Sequence, residues 1–371
     1  MKVKHSVFSS ERGVREDFFA AMSRPQENFV VEFAALLSDY DAAMADYDCS
    51  ADSEVFLRLH LSDPTNQYPF IEKFIRERNS FVSIVGQMPE GKSRIALEAW
   101  HWSNNRKVRE DGVLLVGLEN YSPRWFAVDD LPGQGSFEQT AGEFAALGEY
   151  LNKCGANVAD HTVRTWLYCR DVDNNYSGLV QARNRFFADN GLTKQTHFIA
   201  STGIEGQNHR PDRLVKMDSL NIPELQNGQM IYLQALDMLS PTTIYGVSFE
   251  RGTRLVFGDR SHYFISGTAS IDHAGVILYP YDVVKQTERV LDNISALLSE
   301  GGAEMKDVKS AVVYLRDPAD ADAVLPVVYS RWNQELPLII LKAPVCRPGW
   351  LVEIECIAVN ASGNSRFKDF Q

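Results

Sequence analysis

The segment QTAGEFAALGEYLNKCGANVADHTVRTWLYCRD at residues 139–171 has a second copy, QTERVLDNISALLSEGGAEMKDVKSAVVYLRD, at residues 286–317. Gln139 aligns with Gln286 and Arg170 aligns with Arg316, so a single one-residue gap reconciles the two copies. Each copy begins with apolar residues at spacings of three and four, which is typical of an amphipathic helix. Glycines then end the helix and a β-branched run follows. The chain therefore contains a duplicated helix and strand.

The residues around each copy predict the same order of elements. A second helix is expected at 176–189 and at 319–335, because the apolar pattern there again has helical spacing. Closing strands are expected at 230–237 and at 351–359. Two strands joined by a Gly-Asp turn precede the second copy, and a hairpin within 80–102 is expected to open the first. The predicted unit is β-β-α-β-α-β-β.

This order predicts an α+β fold of two fused units, in which each mixed sheet carries two helices on one face. We place a degenerate N-terminal unit at residues 1–240 and a C-terminal unit that carries the site at residues 241–371. The length of 371 residues is sufficient for two hydrophobic cores.

Composition narrows the classes of partner. The formal net charge of −12 argues against nucleic acid and against an anionic membrane surface, because both repel a negative protein. No apolar run reaches the roughly 20 residues of a membrane span, and the first residues have no signal-peptide core. The five cysteines form no CxxC pair, which favours free thiols in a reducing compartment. We expect a cytoplasmic protein without nucleic-acid or membrane partners.

The closing strand of the second unit, within VCRPGWLVEIECIA at 345–358, contains two carboxylates. Alternation places Glu353 and Glu355 on one face, which is either a solvent face or a site. A glutamate that acts as a general acid needs a pKa raised toward neutrality, and burial beside Val352 and Ile354 would supply this. Aligning 230–238 on 351–359 puts Tyr232 and Gln234 opposite the two glutamates. We therefore take Glu353 as the candidate catalytic residue, available in the second unit alone.

Arg347 is the candidate anchor for a substrate carboxylate, because a guanidinium can bind one through two parallel hydrogen bonds. The alternative is a loop arginine that pairs with a surface acid. The histidines are not at metal-ligand spacing, and there is no dinucleotide, Walker or GxSxG motif. The sequence therefore predicts neither a metal nor a cofactor.

Three stretches of the second unit, FISGTASI (264–271), VVYLRDPADADAV (312–324) and LVEIECIAV (351–359), resemble the Rid/YjgF family. Four more stretches resemble its two-unit chorismatase branch: VRTWLY (163–168), ASTGIEG (200–206), YGVSFERG (245–252) and the spacing from Cys346 to Glu353. The resemblance implies a homotrimer, because sheets of this family bury their open faces against neighbouring subunits. It also implies removal of the enolpyruvyl group of chorismate.

In this resemblance Glu353 is the general acid that protonates the enolpyruvyl methylene, Cys346 lines the pocket, and Ala269 leaves room for the ring. Tyr245, Phe249 and Arg251 of YGVSFERG are candidates for holding the ring and its hydroxyl, although an ordinary strand there is the alternative.

The sequence departs from the chorismatase pattern at Val247 and Ser240, where arginines are usual. Fewer arginines leave room for a related enolpyruvyl ether or a smaller carboxylate. Our predicted function is a chorismatase-like hydrolase or lyase that acts on a small anionic metabolite. The alternatives are an imine or enamine deaminase of the ordinary Rid type and a protein that binds a metabolite without turning it over.

Overall fold

The computed structural model describes residues 3–110, 112–128, 131 and 133–371. The helices of these residues are α1 (Phe29–Asp46), α2 (Pro64–Glu77), α3 (Ser136–Lys153), α4 (Val158–His161), α5 (Val172–Asp189), α6 (Val283–Glu300) and α7 (Ala321–Arg331). The strands are β1 (Lys4–Phe8), β2 (Glu16–Met22), β3 (Glu54–Leu61), β4 (Phe81–Gly86), β5 (Met88–Pro89), β6 (Ile95–Trp102), β7 (Arg106–Glu110), β8 (Val113–Gly117), β9 (Arg124–Ala127), β10 (Thr162–Cys169), β11 (Ala200–Glu205), β12 (Val215–Asn221), β13 (Met230–Leu233), β14 (Gly252–Val256), β15 (Ser261–Ala269), β16 (Val308–Leu315), β17 (Leu338–Lys342) and β18 (Val352–Asn360).

The described strands form three mixed sheets. Their strand orders are β1-β2-β6-β3-β4, then β11-β10-β12-β9-β8-β7, and then β13-β14-β15-β18-β16-β17-β5. Each sheet contains one parallel pair, β3 with β4, β10 with β11, and β16 with β17. A helix connects the two strands of each pair, as a parallel connection requires. The predicted α+β class, with mixed sheets, is confirmed.

The unit therefore occurs three times. Residues 1–240, taken from the sequence as one degenerate unit, contain the first two sheets and also two edge strands of the third, β5 and β13. The hairpin expected at 80–102 is wrong, because β4 and β6 lie on opposite sides of β3 in the first sheet and do not pair with each other. The strands that open the first copy of the repeat are β8 and β9.

The helices cover one face of each sheet. On α3 the residues at spacings of three and four, Phe144, Leu147 and Leu151, are fully buried against strand residues such as Leu167 and Met217. On α6, Val290, Ile294 and Leu297 have the same role for the third sheet. This apolar periodicity is what the sequence pattern detects.

The three faces without helices meet one another inside the molecule. Aromatic side chains from different sheets pack there, with ring centroids 4.6 Å apart for Phe56 and Trp125 and 6.3 Å apart for Trp100 and Phe264. In the described part of the chain, the open sheet faces are thus buried within a single subunit. We predicted a homotrimer because the sheets of this family bury their open faces against neighbouring subunits. Here the described chain buries these faces by itself.

No helix of the described residues combines the length and the apolar character that crossing a membrane requires.

Candidate active site

A cavity of about 430 Å³ lies between the second and third sheets. Helix α5 and strand β11 form one wall, and strands β15 and β18 with the segments that precede β14 and β18 form the other. All seven site residues predicted from the sequence line this cavity: Tyr245, Phe249, Arg251, Ala269, Cys346, Arg347 and Glu353. The structure therefore brings together every residue that the sequence singles out.

Glu353 lies in the middle of the third sheet. Its strand pairs it with Ala269 of β15 on one side and with Tyr314 of β16 on the other. The residue is 5% exposed, and in the described part of the chain its carboxyl accepts no hydrogen bond. Burial, and secondly the charge of Glu355, raises the pKa of Glu353 from 4.5 to about 8, although Arg251 and Arg164 act in the opposite direction. At neutral pH the side chain is therefore a neutral acid that can donate a proton.

Glu355, two residues further along the strand, has a different environment. Arg164 Nη2 lies 2.9 Å from its Oε2, and Trp166 Nε1 donates to its Oε1 at 3.0 Å. The Thr202 hydroxyl also donates to this carboxylate. The solvent-face alternative is wrong for both glutamates, because both are buried.

Gly267 makes room for the Glu353 carboxyl. The pairing of β15 with β18 is irregular between Ile265 and Thr268, which marks a bulge. A Cβ atom built on Gly267 would stand 2.0 Å from Glu353 Oε1. A side chain at position 267 would therefore displace the Glu353 carboxyl group. The bulge and the glycine together determine where this carboxyl group lies.

Arg347 and Arg251 reach the cavity without an acidic partner among the described residues. Arg347 is half-buried, its guanidinium lies 4.5 Å from the Tyr245 ring centroid, and its Nη2 donates to the Tyr245 carbonyl at 3.1 Å. Arg251 is buried, and its Nη2 donates to the Ser240 carbonyl at 3.0 Å. The alternative that Arg347 pairs with a surface acid is wrong. Both guanidiniums can receive an anion.

Cys346 is a neutral thiol in this site. Burial, and secondly the neighbouring Glu353, raises the pKa of the thiol to about 12, although the Tyr176 hydroxyl beside it acts in the opposite direction. Because the thiolate is the nucleophilic form, this environment disfavours covalent catalysis by Cys346. Cys346 and Ala269 both line the cavity wall.

In the structure, the residue equivalent to Glu353 in the middle unit is not the one that the sequence alignment gave. Tyr314 of β16 faces Glu353, and the equivalent Tyr168 of β10 faces Lys216 of β12. Tyr232 belongs to the third sheet itself, where β13 pairs with β14. The middle unit therefore has a lysine, and not Tyr232, at the position of Glu353. The unit therefore lacks a carboxylate at the position of Glu353, as predicted. At the position of Glu355 the prediction of Gln234 is wrong, because Asp218 of β12 stands there.

A search of the described residues for three or more clustered His, Cys, Asp or Glu side chains that could hold a metal ion finds none.

The sequence has clear relatives. The family model described as Endoribonuclease L-PSP matches residues 256–360. The 3-aminoacrylate deaminase RutC of Acinetobacter baylyi is 30% identical over 96 residues, which cover 26% of this chain and 76% of that protein. The chain belongs to the Rid/YjgF superfamily.

Two further proteins, both enzymes, are also similar to this chain. The 3-hydroxybenzoate synthase of Streptomyces hygroscopicus is 29% identical over 121 residues, which cover 29% of this Rid/YjgF protein and 34% of that enzyme. A crystal structure of a chorismatase matches with a TM-score of 0.65 and 20% identity, covering 83% of this chain and 93% of the other. The Rid/YjgF units of this protein are thus arranged in the fold of that enzyme.

Arg183 of this Rid/YjgF protein is one of several lining residues that were not predicted from the sequence. Arg183 projects from α5 into the cavity and is 1% exposed. Its Nε and Nη2 atoms are buried and have no hydrogen-bond partner within the described residues. The available signal is its position on the helix, four residues after Leu179 and four before Phe187, both fully buried. An arginine on the apolar face of a helix needs either a partner or a ligand.

Proposed function

We propose that the protein is a chorismatase-like enzyme that removes pyruvate from chorismate or from a related enolpyruvyl ether, with Glu353 as the general acid. The observation that carries the proposal is the neutral carboxyl group of Glu353, buried at the wall of the cavity with its pKa raised to about 8. A general acid is most effective when its pKa lies near the working pH. The fold shared with a chorismatase and the related 3-hydroxybenzoate synthase support the same reaction class.

The chemistry needs one proton and one water molecule. Transfer of the Glu353 proton to the methylene carbon leaves a methyl group and a cationic carbon on the ether oxygen. Water adds to this carbon and returns a proton to Glu353. The resulting hemiketal breaks its bond to the ether oxygen, which takes the hydroxyl proton, and pyruvate and an alcohol leave. If a neighbouring ring hydroxyl adds to this carbon in place of water, a cyclic ketal forms. The ring C–O bond of that hydroxyl then breaks as the ring carbon that bears the ether oxygen loses a proton, and collapse of the resulting hemiketal releases pyruvate and an aromatic alcohol without using water, which is a lyase reaction.

The other lining residues have matching roles in this proposal. Arg347 binds a substrate carboxylate, and Arg251 adds positive charge beside the rings of Tyr245 and Phe249, each with its centroid 5.4 Å from the guanidinium carbon. Cys346 and Ala269 limit the space around the substrate ring. A cavity of about 430 Å³ is within the range of metabolite sites.

The second candidate is a deaminase of small imino acids, favoured by the likeness to a 3-aminoacrylate deaminase. In that reaction Arg347 would hold the substrate carboxylate and Glu353 would activate water. A protonated Glu353 is a poor base, and the cavity is larger than a three-carbon substrate requires. These two observations favour the enolpyruvyl ether.

The test is release of pyruvate from chorismate, followed with lactate dehydrogenase. We expect pyruvate from the wild type and a loss of at least ~10²-fold in Glu353→Gln, as for removal of a general acid. Glu288→Gln, an exposed position on α6, is the matched control and should keep its activity. Ammonia release from 2-iminopropanoate without pyruvate release from chorismate would instead establish the deaminase. If the wild type releases neither pyruvate nor ammonia, the remaining candidate is a protein that binds a metabolite without turning it over.

A further inference from the structure

We infer that Thr202 is a positioning residue for the acid: its hydroxyl holds the Gly267 bulge from the neighbouring sheet and so determines where the Glu353 carboxyl group lies. Thr202 belongs to β11 of the middle unit, whereas the bulge and the acid belong to the last unit. Thr202 is not among the described residues that line the cavity, so it acts through the bulge and not on the ligand. Its effect on turnover rests on the proposed function.

The amide of Gly267 is bound by a side chain of another sheet. The register between β15 and β18 is interrupted between Ile265 and Thr268, so it passes over Gly267. The Gly267 N–H donates to Thr202 Oγ1 at 2.9 Å, and this hydrogen bond is buried. A buried N–H group needs an acceptor, and here the acceptor is a hydroxyl. The backbone of the bulge is therefore attached to β11.

Three hydrogen bonds saturate the Thr202 hydroxyl. It donates its proton to Glu355, and it accepts from Gly267 N and from Arg164 Nη2. A hydroxyl has one proton and two lone pairs, so all of its capacity is used. Because the Glu355 carboxylate takes the proton, a lone pair remains for the Gly267 amide. The ion pair of Arg164 with Glu355 therefore orients this hydroxyl toward the bulge.

The residue before the glycine is held from the same side. Ser266 Oγ accepts from Arg164 Nη1 and from Ser201 N, both at 2.9 Å. Two consecutive residues of the bulge are thus attached to the middle unit. The position of the bulge depends on the contact between the two units and not on β15 alone.

The carboxyl group of Glu353 takes its place from this bulge. Among the described residues none gives it a hydrogen bond. The point where a Gly267 Cβ would stand is 2.0 Å from Glu353 Oε1 and 3.0 Å from Thr202 Cγ2. A shift of the Gly267 backbone therefore changes the space that the acid can occupy. Because a general acid must lie within reach of the atom that it protonates, such a shift reduces catalysis.

The test compares two substitutions of Thr202 with a matched control. Thr202→Val keeps the shape of the side chain and removes the hydroxyl, while Thr202→Ser keeps the hydroxyl and removes the methyl group. Thr162→Val removes a similarly buried hydroxyl at the start of β10, where it donates to Asn221 Oδ1 at 2.8 Å. If Thr202→Val does not fold, Thr202→Ala is measured in its place with the same expectations.

The first readout is the kinetics of pyruvate release from chorismate. In Thr202→Val, kcat should fall at least about tenfold while KM stays within about twofold of the wild type, since the acid is displaced and the groups that bind the substrate are unchanged. Thr202→Ser and Thr162→Val should keep kcat within about twofold of the wild type.

The second readout does not depend on turnover. Infrared difference spectra against the matching Glu353→Gln protein give the pH midpoint of the Glu353 carboxyl band in each variant. This midpoint should be lower in Thr202→Val than in the wild type, because a carboxyl group displaced from its buried place is better solvated. Thr202→Ser and Thr162→Val should have the wild-type midpoint. A hydroxyl with a merely structural role would change the melting temperature and leave the midpoint unchanged.

A wild-type kcat and midpoint in Thr202→Val would overturn the inference. An equal loss in Thr202→Ser or in Thr162→Val would also overturn it, because the effect would then not come from this hydroxyl.

The inference and the proposed function fail in different ways. A midpoint that shifts in Thr202→Val and returns in Thr202→Ser, without pyruvate from any of the proteins, would leave the role of Thr202 standing and exclude chorismate. Undiminished pyruvate release in Thr202→Val would leave the function standing and overturn the role of Thr202.

Discussion

Glu353 and Glu355 lie two residues apart on one face of the same central strand, yet only Glu355 is held by a cation. Arg164 reaches Glu355 from the neighbouring sheet at 2.9 Å, whereas Glu353 faces the cavity as a neutral acid. Two carboxyl groups with different environments can have different protonation states at one pH, which is how a site keeps an acid beside a charged group.

Glu353→Gln should stabilise the protein in a pH-dependent way. The native protein retains the Glu353 proton up to about pH 8, while the unfolded chain releases it above about 4.5. Stability contributed by this proton is complete below pH 4.5 and is lost as the pH rises toward 8. The variant avoids that loss, so at pH 7 it should be up to about 3 kcal/mol more stable, at ~1.4 kcal/mol per pKa unit.

Urea unfolding at pH 4.5, 7 and 8.5 measures this difference in the free energy of unfolding. The gain should be small at pH 4.5 and large at the two higher values, with Glu288→Gln unchanged throughout. A variant that is less stable than the wild type at pH 7, or a gain that does not vary with pH, contradicts the environment assigned to Glu353.

Removing Arg164, the cation that pairs with Glu355, should destabilise the protein. Arg164→Met leaves Glu355 buried without its cation, which typically costs about 3–5 kcal/mol. The double variant Arg164→Met with Glu355→Gln should recover much of this loss, because the uncompensated charge is gone. Chemical denaturation of the three proteins tests the pairing, and a single variant within ~1 kcal/mol of the wild type would show that the ion pair is not required.

Gly267→Ala should impair activity because of where its methyl group would stand. The added Cβ would lie 2.0 Å from Glu353 Oε1, so the acid must move. We expect a loss of pyruvate release of at least ~10²-fold, since a displaced general acid no longer reaches the reacting carbon. Gly142→Ala on α3 is the control, because its Cβ would meet no atom closer than 3.5 Å. Full activity in Gly267→Ala would mean that Glu353 does not act from this position.

The protein should be a monomer in solution. The three sheets bury their helix-free faces against one another within the described chain, so no such face is left for a second copy. Light scattering after size exclusion should give a mass near 41.8 kDa. A mass three times larger would restore the homotrimer that the sequence predicts.

Much of the architecture could be read from the sequence, because the helices and strands of the repeat have strong periodicity. The β-branched run that follows the glycines of the second copy is β16 at Val308–Leu315, and the closing strand expected at 351–359 is β18, shifted by one residue. The first sheet was missed because its copy of the repeat has diverged. A weak signal is Leu61-Ser62-Asp63-Pro64, which corresponds to Leu315-Arg316-Asp317-Pro318 at the same point of the unit.

The part of the candidate site that comes from one short segment of the sequence was predictable. Arg347, Cys346 and Glu353 come from one segment, and its spacing places them together. The contribution of the middle unit was not predictable, because contacts such as Arg164 with Glu355 join residues that are 191 positions apart. For Arg183 the sequence offered its position on the apolar face of α5, but nothing that placed that helix beside the cavity.

The most direct measurement is the protonation state of Glu353 itself. Infrared difference spectra between the wild type and Glu353→Gln, recorded across the pH range, isolate the carbonyl stretch of this one protonated carboxyl group. We expect the band to be present at pH 6 and to disappear with a midpoint near 8. A band that disappears with a midpoint near the ordinary value of 4.5 would show an ionised glutamate at neutral pH and would contradict its role as the acid.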